Sequence, residues 1–183
     1  MVNIFLMGPK HSGKTSVGKT LASLYSCEFA DIDELIFKET GKTPRQLFVT
    51  DPAVFQKAEA EAMAALLKTD SACSVRSERC VIAAGGGIID NAEAIAVLKN
   101  INAVTVYLNV SADCAWQRII NSPGGELPPF LKANSQAESR EIHRALHERR
   151  AAAYIKLANI VINAEGKTKK EIAAEIIEIT SKI

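Results

Sequence analysis

The chain has 183 residues, which is enough for one domain with a substantial buried core. Its 22 Lys and Arg residues nearly balance 21 Asp and Glu residues, so the formal net charge is only +1. This balance excludes a strong basic field of the kind that attracts nucleic acid or an anionic membrane. We therefore expect no nucleic-acid and no membrane partner, and any bound phosphate must be held by a local arrangement of residues.

The first predicted element is an apolar run at residues 2–7, which ends at Gly8. Such a run is typical of a strand buried on both faces. It is too short for the core of a signal peptide or for a membrane span, so we expect a cytoplasmic protein.

The cysteines are far apart and lack metal-binding spacing, which predicts reduced thiols. They are Cys27, Cys73, Cys80 and Cys114.

Further along the chain, helical periodicity alternates with short apolar runs. The predicted strands are 2–7, 29–32, 80–84, 103–110 and 159–163, and the predicted helices are 14–26, 33–38, 53–67, 91–100, 137–157 and one from 167 onward. Ser111 is expected to cap a further helix. This alternation predicts an α/β fold of three layers, in which helices cover both faces of a central parallel sheet of about five strands.

The organisation predicted from these elements is a single domain over 1–183. Most turn-forming residues of the second half fall between Asn121 and Pro129. We interpret the region at about 121–136 as a mobile lid loop. In a parallel sheet, ligands bind at the carboxyl ends of the strands. Gly8, Asp31 and Gly85 each follow a predicted strand, so we expect them to share one site.

The strongest chemical motif lies at residues 8–15, which match G-x-x-x-x-G-K-[ST] between a strand and a helix. Backbone amides of such a loop and the helix N-terminus wrap phosphate oxygens, which indicates a P-loop phosphotransferase that uses a nucleoside triphosphate. Lys14 is expected at the transferring phosphate and Thr15 at Mg²⁺. Residues 13–20 also fit the pattern, but inside the predicted helix no phosphate could be wrapped. The predicted nucleotide-binding residues are Gly8, Pro9, Lys10, His11, Ser12, Gly13, Lys14, Thr15 and Ser16.

Two carboxylates, Asp31 and Asp33, follow the second strand. One can support magnesium while the other meets a substrate hydroxyl. The alternative is a cluster that caps a helix N-terminus, where Asp is favoured anyway.

Residues 85–87 form a glycine triplet after another strand, which allows a ligand to approach the backbone closely. The alternative is a flexible turn.

Charged residues of the long helix offer two weaker signals. His143 and His147 have the spacing of two zinc ligands on one helix face. Their charged neighbours instead predict a solvated face, and no third ligand is evident. Arg149 and Arg150 are typical surface residues, although near a phosphate site such a pair can bind an anionic group.

Taken together, these motifs resemble those of the shikimate kinases, small P-loop kinases of the nucleoside-monophosphate-kinase type. Residues 13–22 are similar to the family's GKSTxGKxLA, residues 31–33 to its D-x-D, and residues 41–48 to its GxSIxEIF. Residues 85–87 resemble its glycine triplet and residues 150–154 its R-x-x-x-Y. The order of the set makes it far more specific than any one motif.

The resemblance implies ATP-dependent, Mg²⁺-assisted phosphorylation of shikimate to shikimate 3-phosphate, in the pathway of aromatic amino acids. We expect the chain to act as a monomer. Lys14 would contact the transferring phosphoryl group, and Thr15 and Asp31 would hold Mg²⁺. Asp33 would bind the acceptor hydroxyl and take its proton. The substrate-binding residues it implies are Asp33, Gln56, Gly85, Gly86, Gly87 and Arg150.

Two departures from the family pattern affect the charge of the site. F-R-x-x-E appears here with Gln56 in place of the arginine, and R-P-L-L appears with Pro128 in place of the lid arginine. Gln can hydrogen-bond a carboxylate but cannot form the charged bidentate pair. The candidates for compensation are Lys57, Arg118, Lys132 and Arg140. The departures keep two alternatives open: a related kinase of another hydroxy-acid or sugar acid, and a nucleotide-binding protein with weak activity.

Overall fold

The computed structural model describes residues 3–66, 79–122 and 127–182. The strands are β1 (Asn3–Met7), β2 (Glu28–Asp31), β3 (Cys80–Ala83), β4 (Ala103–Asn109) and β5 (Ile160–Asn163). The helices are α1 (Lys14–Tyr25), α2 (Ile32–Thr40), α3 (Pro44–Thr50), α4 (Pro52–Ala65), α5 (Ala92–Leu98), α6 (Ala112–Ile120), α7 (Gln136–Leu157) and α8 (Lys169–Thr180). Short 3₁₀ turns occupy Ile88–Asp90 and Pro129–Leu131.

The strands form one parallel sheet in the order β2-β3-β1-β4-β5. Alternate residues of the central strand β1 face opposite layers of the core. Ile4 and Leu6 pack in the cluster that contains residues of α1 and α8, whereas Phe5 and Met7 pack in the cluster that contains residues of α2, α4 and α7. The prediction of a parallel five-stranded sheet between two helical layers is confirmed.

Helix α1 begins at Lys14, immediately after Gly13, and runs through the second copy of the phosphate-loop pattern. That copy is therefore helical, as expected. A Cβ on Gly18 would lie 2.4 Å from the Phe29 ring, so this glycine serves the packing of α1 on β2. Ser111 caps α6 by accepting a hydrogen bond from the amide of Cys114, which confirms its predicted role.

Several sequence-based expectations differ from the structure. Helix α3 was not predicted, and Ile32 begins α2 where a strand residue was expected. Cys27 and Cys114 are free thiols, but Cys80 is disulfide-bonded, so the expectation of reduced cysteines is wrong at that residue. Cys73, Leu67 and residues 123–126 of the expected lid lie outside the described residues. Among the helices that the structure describes, none has the length and apolar character needed to cross a membrane.

Candidate functional site

The loop between β1 and α1 is shaped by two glycines. Gly8 has φ +149° and Gly13 has φ +100°, values that L side chains rarely adopt. A Cβ on Gly8 would also lie 2.7 Å from the backbone oxygen of Leu108. The chain can therefore turn sharply over the carboxyl end of β1 and deliver the N-terminus of α1 to the site, as phosphate binding requires.

Lys14 lies beneath this loop and is buried. Its Nζ donates hydrogen bonds to the backbone oxygens of Gly8 at 3.0 Å and Pro9 at 2.8 Å. Burial lowers the pKa of Lys14 to about 8, against the opposing attraction of Asp33 and Asp31. The ammonium is thus mostly charged at neutral pH and is held close to where the loop amides would bind phosphate.

Thr15 and Asp31 lie side by side next to the phosphate loop. Thr15 Oγ1 donates to Asp31 Oδ2 at 2.7 Å, while Asp31 Oδ1 accepts from the backbone amide of Asp33 at 3.0 Å. Asp31 therefore caps α2, and the capping interpretation is confirmed for this residue. The paired hydroxyl and carboxylate also fit Mg²⁺, which binds through one or two carboxylates together with phosphates and water. Across the described residues, no cluster of three or more His, Cys, Asp or Glu offers an all-protein metal cage.

A cavity of about 490 Å³ opens beside the phosphate loop, a volume suited to a small-molecule ligand. Its wall contains every predicted substrate-binding residue: Asp33, Gln56, Gly85, Gly86, Gly87 and Arg150. Lys10 of the phosphate loop also lines it, so the predicted phosphate and acceptor sites adjoin. The charged lining consists of Lys10, Arg45, Arg150, Asp33, Glu59 and Asp90.

The glycine triplet brings the parts of this site together. A Cβ on Gly85 would lie 2.9 Å from Glu59 Oε1, and one on Gly86 would lie 2.8 Å from the backbone nitrogen of Lys10. A larger residue at either position would push the carboxylates or the phosphate loop away. The triplet is therefore a close-packed junction and not a loose turn.

Two carboxyl groups of the cavity have raised pKa values. Burial, reinforced by Asp31, raises the pKa of Asp33, while Lys14 and Lys10 oppose the rise. Although the Asp33 side chain opens to the cavity, protein atoms surround it closely enough to displace much of its hydration. Burial raises the pKa of Glu59 to about 7, although Asn91 Nδ2 donates to its Oε2 at 2.9 Å. Glu59 Oε1 has no hydrogen-bond partner within the described residues.

Arg150 is fixed at the cavity wall by Asp90. Arg150 Nε donates to Asp90 Oδ2 at 2.8 Å, and Arg149 donates to both oxygens of the same carboxylate, at 2.8 and 3.0 Å. Burial opposes ionisation of Asp90, but these hydrogen bonds and charges outweigh it and hold its pKa below the usual range. The arginine that the sequence predicts at the substrate thus lines the cavity while it shares one carboxylate with Arg149, an arrangement that no sequence signal revealed. Glu59 was also missed as a site residue, although it ends the Phe55–Glu59 motif.

Four basic residues were predicted as candidates to compensate for the two missing family arginines, and the structure places them in different surroundings. Arg118 Nη1 donates to the backbone oxygen of His11 at 3.0 Å and so contacts the phosphate loop. Lys57 is exposed and pairs with Glu61 at 3.9 Å, and Arg140 is exposed and pairs with Asp113 at 2.9 Å. Lys132 is exposed. Arg118 therefore lies beside the loop at which the ATP phosphates are expected.

The histidine pair on α7 is buried, which makes the prediction of a solvated face wrong. The His143 ring lies 5.5 Å from that of Trp116 on α6 and 5.7 Å from that of His147. Burial, together with the nearby His147 and Arg150, lowers the pKa of His143 to about 4, so this ring is neutral at physiological pH. His143 thus belongs to the packing of α7 on α6, whereas His147 Nε2 is buried without a hydrogen-bond partner among the described residues.

The chain is similar to known proteins over nearly its whole length. A family model described as shikimate kinase matches residues 10–181. A shikimate kinase of Sulfurihydrogenibium sp. is 33% identical over 97% of this chain and 96% of its own length, and one of Coxiella burnetii is 30% identical over 97% and 92%. A solved structure, shikimate kinase from Acinetobacter baumannii in complex with shikimate, superposes with a TM-score of 0.83 at 27% identity, over 100% of this chain and 94% of its own. Deoxyadenosine kinase from M. mycoides, at 16% identity and a TM-score of 0.59 over 98% of this chain and 100% of its own, shares the fold alone.

Proposed function

The chain belongs to the shikimate kinase family, and we propose on that premise that it transfers the γ-phosphoryl group of ATP to the 3-hydroxyl of shikimate. The observation that carries the proposal is the cavity, which places Lys10 of the phosphate loop, Asp33 and Arg150 on one continuous wall. ATP and Mg²⁺ are the cofactors of this reaction. A site that binds both a triphosphate and a small polyol needs these features side by side.

On the donor side, phosphoryl transfer depends mainly on positioning and charge stabilisation. Lys14 and the amides of the phosphate loop would hold the β- and γ-phosphates, and Arg118 adds a cation at the edge of the loop. Thr15 and Asp31 would hold Mg²⁺. Held there, the ion would offset the negative charge of the phosphates.

On the acceptor side, Asp33 would accept a hydrogen bond from the 3-hydroxyl and take its proton as the new oxygen–phosphorus bond forms. The bond between the γ-phosphorus and its bridging oxygen breaks, and ADP leaves with that oxygen. The raised pKa of Asp33 makes its carboxylate a stronger base than an exposed aspartate. Arg150 would pair with the carboxylate of shikimate, and Gly86 and Gly87 would border its cyclohexene ring.

The whole chain is proposed to act as one kinase domain, with the segment at about 121–136 as its lid. Its described part carries Pro128 and Phe130 on the cavity wall. A monomeric state and a cytoplasmic location remain predictions.

The test is an ADP-release assay with ATP, Mg²⁺ and a panel of hydroxy-acids that includes shikimate and its saturated relative quinate. We expect kcat/KM for shikimate to exceed that for every other acid by at least about tenfold. Preference for a different acid would instead support the alternative that Gln56 leaves open, a related kinase of another hydroxy-acid or sugar acid. ADP release with none of the acids would instead support a nucleotide-binding protein without this kinase activity.

A further inference from the structure

The cavity wall carries as many carboxyl groups as cations: Asp33, Glu59 and Asp90 against Lys10, Arg45 and Arg150. Gln56 is neutral, and Arg150 shares its charge with Asp90 at 2.8 Å. Lys10 belongs to the phosphate loop, where the phosphates of ATP are expected, so a substrate carboxylate would depend on Arg150 and on any further cation that can reach it.

Arg45 is a further cation on the cavity wall. It stands at the second variable position of the Gly41–Phe48 motif, in the first turn of α3, and it lines the same cavity as Gln56. Its Nη2 donates to the backbone oxygen of Leu127 at 3.4 Å, next to Pro128, which also lines the cavity. This contact holds the guanidinium beside the cavity.

Arg45 is exposed to solvent, but aromatic rings line the same cavity. The Phe48 ring packs edge-on against Phe130 at 5.6 Å and against Phe55 at 6.1 Å. Charge interactions are stronger beside such apolar surface than in open water. Guanidinium also presents its N–H donors as a planar fork that matches a carboxylate in a bidentate pair.

We propose that Arg45 supplies the second cationic contact to the carboxylate of the acceptor, in place of the arginine that the family pattern has where this chain has Gln56. The inference rests on the proposed function, since it concerns the acceptor of that reaction. Arg45 would thereby help to select an anionic acceptor and close the ligand in from the α3 side.

The experiment measures binding of shikimate and of its neutral carboxamide by calorimetry to wild type, Arg45→Ala and Lys42→Ala. Lys42 is an exposed cation just before α3 that does not line the cavity, so Lys42→Ala controls for loss of charge alone. We expect Arg45→Ala to weaken shikimate binding by about tenfold or more, because hydrogen bonds to charged groups are worth that much. Binding of the carboxamide should change less than about twofold, and Lys42→Ala should resemble wild type.

A second variant separates a lost contact from a disturbed cavity. In Arg45→Ala/Gln56→Arg, the new arginine should restore shikimate affinity to within about threefold of wild type. Suppose that wild type binds shikimate. If Arg45→Ala then binds shikimate equally well, or loses affinity for shikimate and for the carboxamide to the same extent, the inference is overturned but the proposed function stays intact. Wild type that binds no shikimate overturns the proposed function and this inference with it.

Discussion

The hydroxyl of Thr15 donates to the carboxylate of Asp31 at 2.7 Å, which joins the first turn of α1 to the end of β2. Strands β1 and β2 are not neighbours in the sheet, because β3 lies between them. The bond therefore spans the carboxyl edge of the sheet, where a parallel fold binds its ligands. It also brings together a hydroxyl and a carboxylate, two of the oxygen donors that Mg²⁺ prefers.

Asp31→Asn separates the metal role of this residue from its structural role. Asn caps a helix about as well as Asp, so thermal stability should change by less than about 0.5 kcal/mol. The neutral amide is a much poorer ligand for Mg²⁺. We expect the Mg²⁺ concentration for half-maximal turnover to rise at least about tenfold. An unchanged Mg²⁺ requirement would remove Asp31 from the metal site.

Lys14→Ala should abolish phosphoryl transfer, since Lys14 is expected on the transferring phosphate. Removal of one such charge-stabilising donor costs about 10²–10³ in kcat. Because Lys14 is buried and bonds two loop carbonyls, Lys14→Met serves as the volume-matched control for packing. Circular dichroism and thermal unfolding check that both variants fold. Near-normal turnover in either folded variant contradicts the phosphate-binding assignment.

Asp33→Asn should lower kcat sharply while the affinity for ATP changes little. The carboxylate lies in the acceptor cavity and does not bond Thr15, so its loss should affect the proton acceptor and not the nucleotide. General-base removal typically costs about 10²–10⁴ in rate. ATP affinity measured by fluorescence titration is the second readout. An equal loss of ATP binding would place Asp33 in the magnesium site instead.

Much of this site was predictable, because the phosphate loop and the D-x-D pair depend on local spacing beside a strand end. The adjacency of Asp33, Glu59 and the triplet depends on strand order, which the sequence does not state. Helix α3 had a local signal that was overlooked: Thr43-Pro44-Arg45-Gln46 forms a capping box with Pro at the first helical position. The pairing of Asp90 with Arg150 had no such local signal, because the two residues are 60 positions apart in the chain.

The burial of Glu59 predicts a pH-dependent stability. Its pKa is about 7 in the folded chain against 4.5 in the unfolded chain, so the folded state binds more protons between these values. Stability should therefore fall as pH rises from about 4.5 to 7, by up to about 3 kcal/mol from this group. Glu59→Gln lacks this titration and should gain stability relative to wild type as pH rises.

Urea unfolding of wild type and Glu59→Gln at pH 5 and pH 8 measures this difference. Glu61→Gln is the matched control, since Glu61 lies on the same helix but is exposed. A stability difference between wild type and Glu59→Gln that is the same at both pH values would contradict a raised pKa for Glu59.

The last prediction concerns Gln56, whose replacement by arginine separates the two kinase assignments. The Gln56 side chain is exposed at the cavity wall, and its backbone oxygen accepts from Asn91 Nδ2 at 2.8 Å, a bond that a new side chain leaves in place. Gln56→Arg should therefore fold normally and offer the acceptor a charged bidentate contact.

If shikimate is the acceptor, Gln56→Arg should lower KM for shikimate about tenfold, because the new hydrogen bonds involve two charged groups, while KM for ATP stays nearly constant. The gain should be larger in the Arg45→Ala background, since two residues that serve the same carboxylate are not additive. If the natural acceptor has no carboxylate here, the new arginine instead places an unpaired charge beside it and lowers activity. No gain in Gln56→Arg, with wild-type activity on shikimate at background, would overturn shikimate as the acceptor and leave the phosphate-loop kinase standing.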